Sequence, residues 1–384
     1  ALTLRALHYI DLINMWGDVP ARLTSLNADN MYSGREDRDV IYKQLIIDLQ
    51  EAQDLCAWPN EIDATKTVER VNKVFVKGLL ARVCLQASGY AQRLDGENRL
   101  STDPELSKAR LYPIALQACK DVMEQEGTYV ALKSNFEDIF NNNGISGDVI
   151  NAGSESLFEI GYSNIAVRGR IMYTFCIKHT TADNMTTMLQ GSQVGPTPTI
   201  FIDYSVKDLR RDITCCPFQW TKGVQTLQSF KSWSFGKLRY EWTNRMIPTG
   251  NDDGINRQYM RYADIVLMRA ELENELNGAS AAVPYLTKIR NRAFATSDRA
   301  TEVTAYVAEA ALSKEKMFQA IVDERAYEFA GELIRKADLI RWGMLKSKMD
   351  ETKNKMKAIV SLTDYESKHP YSQLSGHAYY KMSA

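Results

Sequence analysis

The sequence predicts a mainly α fold: a tetratricopeptide-like helical-repeat scaffold that carries one large irregular, loop-rich insertion. Two observations carry this. Apolar residues recur at three- and four-residue steps through both ends of the 384-residue chain, in stretches of about 15 to 22 residues separated by short turns. Between them, over residues 141–256, the periodicity gives way to Gly, Asn, Ser, Thr and Pro. Amphipathic helices in neighbouring pairs bury their apolar faces only by stacking pair upon pair, which is what a helical solenoid does.

The first helix begins at Leu2. Ala6, Tyr9, Ile13 and Trp16 form its apolar stripe, and Gly17-Asp18-Val19-Pro20 supplies a glycine stop followed by proline. A second is predicted over residues 35–56 on Val40, Leu45, Leu49 and Leu55. A third, over 68–88, is apolar nearly all round, so it lies between neighbours, with Gly78 allowing close backbone approach. Pro104 and Gly127 bracket a fourth, carrying Leu116, Cys119 and Val122. Helical spacing resumes at 257 with Tyr262, Ile265, Met268, Leu272 and Leu276, and Gly278 closes that helix. Its partner covers 281–295. A last pair, 313–330 and 333–348, is split by Gly331, and Ser313 starts the first of these. The chain thus divides into repeat pairs at 1–140 and 257–349, an insertion at 141–256 with a short β-like piece at 156–160, and a tail at 350–384 of uncertain structure.

Composition removes several function classes. With 47 Lys and Arg against 48 Asp and Glu, the net charge of -1 gives no global field to recruit nucleic acid or an anionic bilayer. No apolar run reaches the roughly 18 residues needed to cross a bilayer. The cysteines Cys56, Cys84, Cys119, Cys176, Cys215 and Cys216 show no Cys-x-x-Cys pair or histidine at ligand spacing, so no metal or other cofactor is implied. Nucleophile-elbow, zinc-protease, P-loop and dinucleotide fingerprints are absent as well. Glu324, Arg325 and Glu328, with Arg335, Asp338 and Arg341, could suggest paired catalytic carboxylates, but their helical spacing is that of ion pairs between packed helices.

The insertion offers a different chemistry. Aromatic rings can meet the C–H face of a pyranose, while amide and guanidinium forks pair with vicinal hydroxyls. Trp220, Trp233, Trp242, Tyr173 and Tyr204, with Asn184 and Arg168, are the expected ligand contacts. Trp220 and Trp233 lead because their Gln-, Thr-, Lys- and Ser-rich neighbourhoods predict exposure. Asn251-Asp252-Asp253-Gly254 resembles part of a calcium loop but lacks its closing glutamate, and reads as a turn.

Four stretches, in order, resemble the SusD/RagB family. They are residues 5–12 leading into Trp16-Gly17-Asp18-Val19-Pro20; residues 76–85 around Gly78 and Arg82; Arg261-Tyr262-Ala263-Asp264 through Glu271, followed by 288–293; and Asp323-Glu324-Arg325 through Gly331, followed by Asp338 and Arg341-Trp342-Gly343. The resemblance implies a non-enzymatic oligosaccharide-binding protein, or a peptide- or glycopeptide-binding one, acting as the lid of a SusC-like TonB-dependent transporter at the outer face of the outer membrane. It also implies a lipid anchor on a cysteine upstream of Ala1, and glycan contacts partly upstream of the sequence. Two rival readings are a tetratricopeptide-type scaffold for protein tails, which predicts no such insertion, and a helical glycoside hydrolase, which requires two carboxylates facing across an aromatic cleft.

Overall fold

A computed structural model describes residues 1–141, 151–162, 169–228, 232–243, 245–249 and 254–361. The N-terminal part holds α1 (Leu2–Trp16), α2 (Arg38–Leu55), α3 (Lys73–Ala87), the hairpin of β1 (Ala91–Gln92) and β2 (Asn98–Arg99), and α4 (Lys108–Met123). The insertion contributes short pieces: α5 (Asp138–Asn141), β3 (Ser156–Ile160), α6 (Ile171–Phe175), α7 (Pro198–Asp203) and α8 (Arg211–Thr214). These are followed by β4 (Cys215–Cys216), β5 (Phe218–Thr221), β6 (Val224–Leu227) and β7 (Ser234–Phe235). The chain then runs through β8 (Arg257–Arg261), α9 (Tyr262–Asn277), α10 (Ala279–Ala293), a π-helical turn at Ala300–Ala305, α11 (Tyr306–Ala310), α12 (Lys314–Phe329), α13 (Arg335–Arg341) and α14 (Leu345–Ser361).

Local chemistry sets the helix ends. Asp37 accepts from the Asp39 amide at α2, Asn72 from the Phe75 amide at α3, and Ser313 from the Lys316 amide at α12, each satisfying an amide that the first turn leaves unpaired. Gly17 ends α1 at φ 76 with its amide on the Ile13 carbonyl.

Packing follows the order of the chain, α1 on α2, α2 on α3 and α3 on α4; α4 then meets α9, and α9 meets α10 and α12. One apolar core therefore spans both sides of the insertion, from Ala6 and Ile10 through Phe75 and Leu80 to Ile265, Leu272 and Phe329. A Cβ on Gly78 would lie 2.5 Å from Met260 Sδ and 2.7 Å from Ile265 Cδ1, so the expected close approach at this glycine is present.

The charges of the repeat helices form two buried networks. In the first, Arg210 reaches Glu324 (2.6 Å) and Glu328 (2.9 Å), Arg261 reaches Glu155 (2.8 Å) and Glu328 (2.7 Å), and Arg290 reaches Glu324 (2.7 Å). Arg292 joins Glu155 to Glu328, so the insertion is bolted to β8, α10 and α12. The second links Arg82, Asp264, Arg325, Asp338, Arg341 and Glu271 across α3, α9, α12 and α13. Such pairs hold only while both signs are present, because an unpaired buried charge is costly.

Three expectations are corrected. Residues 257–261 are strand rather than helix: they pair antiparallel with β3, and the helix starts at Tyr262. The last predicted helix is two, α13 and α14, broken by Gly343 at φ 69. Residue 350 is no boundary, since α14 runs through it to Ser361; its lysine-rich sequence lacks the broad apolar stripe that marks the others.

Candidate functional site

A cavity of about 690 Å³ lies where the end of α1, the start of α2, the β1–β2 hairpin, α13 and the start of α14 meet. Its size falls within the roughly 300–1,000 Å³ usual for small-molecule sites. Trp16, the last residue of α1, lines it and is 73% exposed. With the exposed Leu94 and Met15, which also line the cavity, it forms an apolar patch at this wall.

The walls are fixed by contacts that the sequence dictates locally. After Gly17 turns the chain, Asp18 accepts from the Arg38 amide (3.1 Å) and from Arg38 Nε (2.7 Å), while Arg38 Nη2 donates to the Gln92 carbonyl (2.6 Å). The hairpin is thereby tied to α2. Tyr9 Oη donates to the Arg22 carbonyl (2.9 Å) and accepts from its amide (2.7 Å), anchoring the loop that leaves α1. On the other wall the Tyr90 amide donates to the Arg341 carbonyl (2.8 Å). Gly89 lies so close that a Cβ would be 2.6 Å from Arg341 Cβ.

Asn14, Gln92 and Asn98 supply amides to the lining, and Arg35, Arg38, Arg93, Lys336 and Lys346 supply cations. Arg38 is neutralised by Asp18, Arg93 by Asp39 and Lys346 by Asp350. Arg35 and Lys336 are exposed. The cleft therefore combines one indole platform, neutral forks and a cationic rim, an arrangement suited to ring stacking and hydroxyl pairing.

None of the sequence-predicted contacts among the described residues lines this cleft. Trp220 is 9% exposed and stacks on His179 with ring centroids 6.1 Å apart; Trp233 is 4% exposed, edge-on to Phe201 at 5.1 Å. The exposure expected of both is corrected. Along β5 the polar Gln219 and Thr221 face outward while Phe218 and Trp220 face inward, so a polar neighbourhood signals the opposite face of a strand. At Trp233 the chain passes so close that a Cβ on Gly195 would overlap its carbonyl. Tyr204 is buried too, its hydroxyl donating to the Tyr327 carbonyl (2.6 Å). Trp242 is half-buried with the Arg239 guanidinium 4.9 Å from its ring, and Tyr173 is half-buried with that of Arg170 at 4.6 Å. Asn184 is exposed. Arg168 and residues 251–253 lie outside the described residues.

Trp16 was legible only as part of the α1 stripe. Leu12 and Met15, beside it on the last turns of α1, are exposed with it, whereas Tyr9 and Ile13 of the same stripe are buried.

Nothing in the cleft is arranged as acid and base. Glu324, Glu328 and Asp338 are all committed to guanidiniums, as their spacing predicts. Glu69 and Glu159 do come together, both accepting from Asn256 Nδ2 at 2.9 and 3.1 Å. Glu159 is 1% exposed, however, and lines neither this cleft nor its neighbouring cavities. Among the described residues no group of three or more His, Cys, Asp or Glu could hold a metal ion, and no helix is long and apolar enough to cross a membrane. All six cysteines are free, and burial pushes the Cys84 and Cys216 thiols up to about 12.

Comparison with known proteins agrees with this architecture. The model of the SusD family matches residues 221–381. SusD-like protein P25 of Formosa agariphila is 48% identical over 90 residues, 23% of this chain and 16% of that protein. SusD-like protein P2 of the same organism is 23% identical over 354 residues, 88% of this chain and 63% of the relative, so the chain spans less than two thirds of the length of either. Among solved structures, a SusD homolog from Bacteroides thetaiotaomicron superposes with a TM-score of 0.76 at 21% identity, covering 92% of this chain and 69% of that one. Surface glycan-binding protein A from the same species, in complex with laminarihexaose, gives 0.60 at 21% identity, covering 90% and 68%. A structure determined with a xylogluco-oligosaccharide gives 0.63 at 19%, covering 92% and 67%. The helical-repeat scaffold, the matched segment and these relatives agree: the chain is similar to proteins of the SusD family, over residues 221–381 by sequence and over most of its length by fold.

Proposed function

We propose that this chain captures an oligosaccharide in the Trp16 cleft without making or breaking a covalent bond. The observation that carries the reading is the 73% exposed indole of Trp16 at the wall of the 690 Å³ cavity, beside the amides of Asn14, Gln92 and Asn98. The relatives solved with laminarihexaose and with a xylogluco-oligosaccharide support the ligand class. The repeat pairs at 1–140 and 257–349 serve as the rigid scaffold and 141–256 as the insertion. On that insertion Tyr173, Trp242 and Asn184, which keep accessible surface, serve as further ligand contacts.

Similarity to the SusD family supports the wider role: delivery to a SusC-like TonB-dependent transporter for which the chain is the lid, at the outer face of the outer membrane on a lipid anchor. The test is calorimetry of the purified protein against a panel of neutral and acidic polysaccharides and peptides, with product analysis of the same mixtures. Uptake of one glycan without cleavage, weakened about tenfold or more by Trp16→Ala, is the expected result. Cleavage would overturn the non-enzymatic reading, and unchanged affinity in Trp16→Ala would remove the cleft from it.

A further inference from the structure

We propose that a second, smaller pocket reads the vicinal diol of a single neutral ring through Gln258. The pocket, about 70 Å³, is walled by Phe140, Ile171, Phe175, Phe235 and Leu238, where α5, α6, β7 and β8 meet the turn between α12 and α13. A water needs roughly 10–15 Å³ by this measure, so the space takes the polar edge of one ring and not an oligosaccharide.

Gln258 sits in β8 opposite Glu159, and it lines this pocket. Its Oε1 and Nε2 are both buried and neither has a hydrogen-bond partner. A side-chain amide that buries a donor and an acceptor unpaired is rare in folded proteins and calls for an explanation. A vicinal diol supplies the complement, one hydroxyl donating to Oε1 while its neighbour accepts from Nε2, with the C–H face of the ring against the phenyl walls.

Two further features fit such a ligand. Lys237 and Glu332, both lining residues, are bonded to each other, so their charges cancel at the wall, and the guanidinium of Arg257, also on the lining, lies over the Tyr259 ring. Leu333 lies on the lining with φ 65, a backbone conformation that side-chain-bearing residues rarely adopt, and is 58% exposed. Strain of that kind gathers at binding sites, where surrounding structure holds it in place. The turn reaches this position because Gly331, at φ 84, packs against the Phe235 ring, 3.0 Å from where a Cβ would stand. The site stands apart from the Trp16 cleft, with which it shares no lining residue.

The experiment uses cis-cyclohexane-1,2-diol and cyclohexanol as probes, followed by ligand-observed NMR on the whole chain, with melting curves recorded alongside. The diol is expected to bind about tenfold or more tightly than the mono-alcohol. Gln258→Leu is expected to lose that preference while raising the melting temperature, because it removes two unpaired buried polar groups. Trp16→Ala is expected to leave diol binding unchanged, which separates this site from the oligosaccharide cleft. Equal binding of the two probes to the native chain would overturn the proposal. So would diol binding that survives in Gln258→Leu, or a lowered melting temperature in both Gln258→Leu and Gln258→Met, which would show that the amide supports the fold instead of a ligand.

Discussion

Glu159→Gln is expected to stabilise the protein at neutral pH and to do nothing at pH 4.5. Glu159 is 1% exposed in β3, and burial pushes its carboxyl up to about 7 from an ordinary 4.5, against the opposing bonds from Ser156 Oγ (2.6 Å) and Asn256 Nδ2 (3.1 Å). The nearby Glu69 adds to the rise. Between those two values the folded protein binds more protons than the unfolded chain, so stability falls as pH increases through this window. The displacement of about 2.5 units corresponds to about 3 kcal/mol, absent below pH 4.5 and fully exacted above pH 7. The substituted amide would keep the shape and an acceptor without the charge. Urea unfolding of both proteins at pH 4.5, 6 and 8 gives the difference directly. A stability gap that grows from near zero to about 2–3 kcal/mol across that range is the expectation. A gap that stays constant with pH would refute the assignment of the charge penalty to this carboxyl.

Other perturbations test the frame and the cleft. Glu328→Gln leaves Arg261, Arg292 and Arg210, which hold that carboxylate well below its usual range, without their shared partner; unfolding curves should show a loss of about 3–5 kcal/mol. Gly89→Ala forces a methyl to within 2.6 Å of Arg341 and should cost about 1–3 kcal/mol by the same measurement, opening the wall of the cleft behind Tyr90. The exposed Arg35 and Lys336 on the cleft rim should make binding of acidic oligosaccharides weaken between low and high salt, with neutral ones unaffected; calorimetry at two ionic strengths reads this.

The scaffold was legible because helical periodicity is a local property. Ala6, Ile13, Leu45, Leu80 and Leu272 each declare a buried face within their own stretch, and Gly17 and Ser313 mark ends by chemistry that needs no tertiary partner. What failed required a second strand of chain. The strand at 257–261 exists because β3 lies beside it, and the orientation of Trp220 follows from the two-residue alternation of a hairpin whose partner strand begins three residues later. The cleft is assembled from α1, a hairpin some 75 residues on and α13 near the far end. No spacing within one stretch reports such a meeting.

The same distinction bears on how capture can work. Arg210 and Glu155 come from the insertion, and their partners Glu324, Glu328, Arg261 and Arg292 come from β8 and the repeat helices, all of them buried. Sliding the insertion against the repeats would strand several charges away from water at once, far more than a sugar contact can return. Closure on a ligand must therefore leave this seam intact. For the lid role proposed above, the motion this leaves is displacement of the whole body, with the Trp16 cleft, on α1, α2 and α13, carried rigidly along.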